Sequence, residues 1–235
     1  MPIPESNMFF GSRSTMTDEQ LKFVNSMFDN KVTISNSVAG TGKTTLAVGV
    51  AAILQMKLLY IFSPIQESKM GFRPGTQEEK ELEYTAPLRC ALEKINYNPD
   101  QCIFSLGEAS DPRFSKNIAN QEKHGDIWVY PMSHIFARGI NIENRFVVID
   151  ECQNFTINEL QKILTRIHDN CKVVLLGHTG QCDLANESTS GFAPYIEYYK
   201  TLPYACICPL THNFRGRISR DADKIHEFLK NKNKN

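Results

Sequence analysis

An excess of charge of either sign is missing from this chain: Lys and Arg number 26, and so do Asp and Glu. A protein that holds a polyanion over its whole surface carries a basic surplus, so that class is excluded, while a local basic stripe stays open. No apolar run approaches the roughly 20 residues needed to span a bilayer. The opening residues, Met1 to Ser6, lack the basic start and apolar stretch of a secretion signal. A cytoplasmic location without a membrane partner is therefore expected. Cysteine is present but unpatterned: Cys90, Cys102, Cys152, Cys171, Cys182, Cys206 and Cys208 form no C-x-x-C pair and have no His at zinc-finger spacing. That excludes a zinc module and points to free thiols in a reducing compartment, with Cys206 and Cys208 on one face of a buried strand. Internal repeats are absent.

What remains is an ordinary globular composition, 41% hydrophobic and 22% charged, over 235 residues, enough for one α/β core. Residues 1–15 read as a flexible arm, residues 16–229 as the domain, and residues 230–235 as a solvated tail. Apolar runs at residues 31–36, 58–62, 127–130, 145–150, 171–177 and 205–210 read as strands. Helical patterns lie between them. Thr17 with Gln20, and Thr156 with Glu159, are spaced as capping boxes that open two helices. Residues 76–95 read as helical but broken or kinked at Pro87, and residues 96–126 as an irregular excursion. A final helix is expected after Gly216. Strands alternating with helices predict a mostly parallel sheet with helices on both faces.

The stretch Ser37-Val38-Ala39-Gly40-Thr41-Gly42-Lys43-Thr44-Thr45 follows the first strand and opens an apolar helix. Strand, glycine-rich turn and Gly-Lys-Thr at a helix start form a phosphate-binding loop. Its backbone N–H groups and the helix dipole draw phosphate oxygens. Lys43 is placed to reach the outer phosphates, and the Thr44 hydroxyl to ligate Mg²⁺. Ser37 stands where the pattern has its first glycine, a position that only turns the chain out of the strand. Gln20, one helix upstream, is either a capping residue or an adenine reader.

Asp150-Glu151 ends the fourth strand, where an acid that organises Mg²⁺ belongs and a second carboxylate can polarise an attacking water. Gln181, in the glycine-rich turn after the fifth strand, can bond a terminal phosphate or that water. His178 in the same turn is read as an exposed loop histidine. Arg215, Arg217 and Arg220 cluster after the last strand; Arg215 is the candidate for stabilising transition-state charge. Whether it serves its own chain or a neighbour's nucleotide is open at this stage.

The runs Ala39 to Thr44, Gly71 to Lys80, Val148 to Asn154 and Gly177 to Asp183 together resemble the PhoH-like family of P-loop ATPases. Residues Leu210 to Arg215 are similar to the arginine motif of superfamily 1 helicases. The resemblance implies a single RecA-like core, Mg²⁺ and ATP as ligands, assembly into a homo-oligomeric ring of hexameric type, and a connection to RNA. His178 departs from the family's usual Asp, and Ser63 from its usual Arg. The leading expectation is an ATPase that binds or remodels RNA or single-stranded nucleic acid, meeting it at the 63–75 loop through Lys69, Phe72 and Arg73. The alternative is a nucleotide-dependent assembly switch without motor activity.

Overall fold

Six parallel strands form one sheet in the order β3-β2-β4-β5-β1-β6. The computed structural model describes residues 15–64, 77–104, 127–137, 139–222 and 224–232. In chain order the elements are α1 (Asp18–Asp29), β1 (Val32–Asn36), α2 (Lys43–Ile53), β2 (Lys57–Phe62), α3 (Gln77–Lys94) and α4 (Pro99–Cys102). Then come β3 (Val129–Ser133), α5 (His134–Ala137), β4 (Arg145–Ile149), α6 (Ile157–Leu164), β5 (Lys172–Gly177) and α7 (Phe192–Tyr199). The chain closes with β6 (Ala205–Ile207), α8 (Arg217–Ala222) and α9 (Ile225–Lys232).

Strands covered on both faces read as unbroken apolar runs, and β2, β4 and β5 are buried over nearly their whole length for that reason. Leu58, Tyr60, Phe146, Val148, Val174 and Leu176 face one layer, packed against α1, α2 and α3. Leu59, Ile61, Val147, Ile149, Val173 and Leu175 face the other, with Leu160 and Ile163 of α6 and Phe192 and Ile196 of α7. The expected α/β core with helices on both faces is therefore what forms, and every ladder in it is parallel.

Three expectations shift. The third strand runs from Val129 through Pro131 to Ser133 rather than over residues 127–130. Among the described strands β3 lies at the sheet edge, where proline's missing N–H costs no ladder bond on the outer side. The sixth strand stops at Ile207; beyond the bond from Cys208 N to the Ile34 carbonyl, Leu210 N donates to Ser37 Oγ instead of continuing the backbone ladder. Helix α3 is continuous through Pro87, so of the expected break or kink it is the break that does not form. Interior proline costs ~3 kcal/mol, while burying large apolar side chains returns about 1.5–3 kcal/mol each. Leu88, Leu92 and Ile95 are all buried just beyond it, so packing wins.

Both capping boxes are complete: Thr17 with Gln20 opens α1, and Thr156 with Glu159 opens α6. The thiols of Cys206 and Cys208 lie 3.6 Å apart, on one face as expected, and all seven cysteines are free. The helix expected after Gly216 is two short ones, α8 and α9. Residues 105–126 of the expected excursion lie outside the described residues, as do residues 65–76, and with them Lys69, Phe72 and Arg73. The same holds for residues 1–14 and 233–235.

Candidate active site

The carboxyl ends of β1, β4 and β5 open onto one cavity of about 900 Å³. Parallel order brings them together: β5 lies between β1 and β4, with Asn36 opposite Gly177 and Ile149 opposite Leu175. Ligands of open parallel sheets bind in the crevice beyond these strand ends.

Helix α2 starts differently from α1 and α6. Its cap position is Gly42, in left-handed conformation, with no side chain to cap the helix. The first intrahelical bond runs from Leu46 N to the Gly42 carbonyl. The N–H groups of the first turn therefore have no intrahelical acceptor, and the positive end of the dipole faces the cavity. Gly40, at φ +75°, could not be replaced: a Cβ there would stand 2.8 Å from both Arg215 Cγ and Asn213 Oδ1.

The residues expected from the sequence to hold nucleotide and cation or to act in catalysis all line this cavity: Gln20, Ala39, Gly40, Thr41, Gly42, Lys43, Thr44, Thr45, Asp150, Glu151, Gln181 and Arg215. Thr44 Oγ1 donates to Asp150 Oδ2 at 3.1 Å, so the two candidate cation-holding groups already face each other. Mg²⁺ is held by one or two protein groups, substrate phosphates and water, and this pair fits that requirement. Among the described residues no cluster of three or more His, Cys, Asp or Glu is disposed to cage a metal by itself.

Glu151 takes a left-handed conformation, φ 51° and ψ 46°, a strain of about 1–3 kcal/mol of the sort kept at functional sites. Crowding by protein atoms, and then the Asp150 charge, push its carboxyl above the ordinary glutamate range, an effect that solvent moderates because the residue is exposed. A carboxylate so placed is a stronger base than a free one. Gln20 divides its amide: Oε1 accepts from Thr17 N at 3.1 Å, and Nε2 donates to the Thr41 carbonyl at 3.0 Å. Its amide thus caps α1 and ties that helix to the phosphate loop, while the residue lines the cavity.

Arg215 lines this chain's own cavity, with its stem over Gly40. The segment is laced in place. Phe214 N donates to the Gly40 carbonyl at 2.9 Å, and Arg215 N to Asn213 Oδ1 at 2.8 Å. Leu210 N donates to Ser37 Oγ at 2.8 Å. Ser37 therefore does more than turn the chain: its hydroxyl ties the phosphate loop to the arginine segment, which a glycine could not do. At the other end Thr211 donates from N and Oγ1 to Glu19, at 2.7 and 2.8 Å.

Sequence reasoning missed two buried side chains behind the acids. Tyr60, in β2, donates its hydroxyl to Asp150 Oδ2 at 2.6 Å. Burial, then the Asp150 charge, hold that phenol well above its ordinary pKa, so it stays a donor. Gln153 donates from Nε2 to Glu151 Oε2 at 2.6 Å and accepts from His178 N at 2.9 Å, clamping the second acid to the turn after β5. His178 thus enters the site through its backbone. Asn154 and Asp183 exchange two further bonds across the same seam. The available signals were a tyrosine inside an apolar strand, whose hydroxyl needs a partner once buried, and the two amide residues Gln153 and Asn154, one position beyond the acid pair.

This sheet order, with a phosphate loop after β1 and an acid pair after β4, defines a P-loop NTPase fold of the RecA-like kind. The family model described as PhoH-like protein matches residues 14–226, and the chain belongs to that family. A PhoH-like protein of Synechocystis sp. is 32% identical over 200 residues, covering 83% of this chain and 55% of its own length. PhoH-like proteins of Mycobacterium bovis and Bacillus subtilis are 29% and 30% identical over 83% and 77% of this chain, and over 52% and 53% of their own. The chain spans about half the length of these curated relatives. The crystal structure of the Pyrococcus furiosus Hef helicase domain superposes with a TM-score of 0.50 over 86% of this chain and 39% of that one. At 12% identity that likeness shows the fold alone. Among the described residues no helix is long and apolar enough to cross a membrane.

Proposed function

We propose that the chain is a Mg²⁺-dependent ATPase whose hydrolysis is coupled to binding or remodelling RNA or single-stranded nucleic acid. The observation that supports the ATPase most is the convergence on one cavity of an uncapped helix N-terminus, Lys43, the Thr44–Asp150 pair, Glu151, Gln181 and Arg215. Phosphates would lie on the N–H groups of α2, with Lys43 at their outer end. A divalent cation between Thr44 and Asp150 would neutralise charge on the phosphate oxygens. Glu151 would take a proton from the attacking water, and Gln153 would aim its carboxylate. Arg215 and Gln181, which line the same cavity, would donate to the terminal phosphate.

The nucleic-acid half rests on the family resemblance, on the helicase-domain fold and on the charge and stacking ring that the sequence supplies at Lys69, Phe72 and Arg73. The neutral overall charge favours the second reading, an assembly switch with slow turnover. Steady-state ATP hydrolysis with and without single-stranded RNA tests both. Salt-sensitive stimulation supports the first reading; hydrolysis indifferent to RNA, with nucleotide-controlled assembly, supports the second. Absence of any Mg²⁺-dependent hydrolysis by the wild-type protein overturns both the ATPase and its coupling.

A further inference from the structure

We propose that Tyr60 is a metal-selectivity residue: by helping to fill Asp150 Oδ2 it keeps that oxygen from ligating a cation directly, and so favours Mg²⁺ over larger cations such as Ca²⁺, which gain from a second carboxylate oxygen. The inference rests on the nucleotide reading of the cavity above.

An ionised carboxylate offers about four lone-pair sites. At Asp150, three are taken by the protein's own donors. Oδ2 accepts from the Tyr60 hydroxyl at 2.6 Å and from Thr44 Oγ1 at 3.1 Å, which fills that oxygen. Oδ1 accepts from Glu151 N at 2.9 Å. One site on Oδ1 is left over, room for one hydrogen of a cation-bound water. The Tyr60 bond has the length of a charge-assisted O–H···O⁻ contact, the stronger kind. Its ring is locked in the sheet with 1% of its surface exposed, so the hydroxyl cannot swing away. Thr44 can keep donating to Oδ2 while its own lone pair faces a cation. Tyr60 has no such second use and serves only to occupy the carboxylate.

The two cations differ in what they ask of that oxygen. Mg²⁺ sheds water reluctantly and is content with a carboxylate that meets its hydration shell. Ca²⁺ takes six to eight oxygens and gains from direct, flexible carboxylate ligation. Removing the Tyr60 hydroxyl frees a lone pair on Oδ2 and lets Asp150 become such a ligand. Groups that orient a metal's ligands from behind change metal affinity by about 10–100-fold when lost, and the selectivity effect is expected in that range.

The test is calorimetric binding of a non-hydrolysable ATP analogue to the full chain with Mg²⁺, with Ca²⁺ and with a chelator. Tyr60→Phe keeps the ring and should shrink the Mg²⁺-over-Ca²⁺ preference by about 10-fold or more, with chelator-arm affinity unchanged. Replacing Tyr60 with a ring-fluorinated tyrosine, a stronger donor of nearly the same shape, should move the preference the other way. That second variant decides the matter if Tyr60→Phe does not fold. An unchanged preference in the folded variants overturns the proposal. So does an equal loss in all three arms, which would mark Tyr60 as structural only. If wild-type binding itself ignores both cations, the nucleotide reading fails, and the wild-type titration alone reveals it.

Discussion

At the scale of single residues, the site is a set of charges held by neighbours that the motifs do not name. Glu151 shows this most directly. Its backbone is strained, its carboxyl is pushed upward by crowding and by Asp150, and Gln153 fixes one of its oxygens. Glu151→Gln keeps the shape but cannot take a proton. It should retain nucleotide binding while hydrolysis falls by about 10²–10⁴, the range for a lost general base. Turnover near the wild-type rate would reduce Glu151 to a strand-end acid. Its candidacy was legible in the sequence because an acid pair at the end of an apolar strand is a local pattern. The clamp by Gln153 was not, since its second partner, His178, lies 25 residues away in another strand's turn.

Between elements, two contacts decide how the pieces of the site meet. Gly177 ends β5 where Phe192 of α7 and Gln153 both press on the backbone; a Cβ would stand 2.6 Å from the ring and 2.8 Å from Gln153 Oε1. Gly177→Ala should cost about 1–3 kcal/mol of stability, as overpacking does, and should slow hydrolysis further by displacing the clamp on Glu151. Denaturant midpoints and turnover measured on the same preparations separate the two effects. The second contact is Glu19 with Thr211. Hydrogen bonds to Glu19, chiefly from the Thr211 backbone N–H, hold its carboxyl below the ordinary glutamate value. The ionised form is therefore favoured in the folded state. Its contribution to stability is complete above the unfolded value of about 4.3 and is lost as pH falls through the lowered folded one. Glu19→Gln should unfold more readily than wild type at neutral pH, and denaturation curves should show that gap closing in acid. A gap independent of pH would mean that the charge plays no part.

On the scale of the whole molecule, the question is whether one chain completes a site. Arg215 lies over its own phosphate loop, with Asn213 and Phe214 bonded around it. Arg215→Ala should slow hydrolysis by about 10³–10⁵ with little change in nucleotide affinity. Mixing it with Lys43→Ala should restore nothing, because each chain would need both residues in its own cavity. Native mass spectrometry must first show that the two variants co-assemble. Recovered turnover in mixed assemblies would show that the arginine acts across an interface instead. Ring assembly, expected from the family resemblance, is compatible with either outcome.

Local pattern determined much of this protein. The six strands, both capping boxes and the phosphate loop could be read from residues 17–210, because each depends on neighbours within a few positions. The sheet order followed no such rule. Parallel strands pair through distant crossovers, and only packing brought Asp150 to within 3.1 Å of Thr44, 106 residues earlier. Packing also carried α3 through Pro87 and β3 through Pro131, against local preference, since buried area and an edge position outweigh a missing N–H. Tyr60 reads as one more apolar strand residue until the fold places its hydroxyl 2.6 Å from Asp150, 90 residues further on. A buried hydroxyl must find its partner through space, and sequence spacing carries no record of that distance.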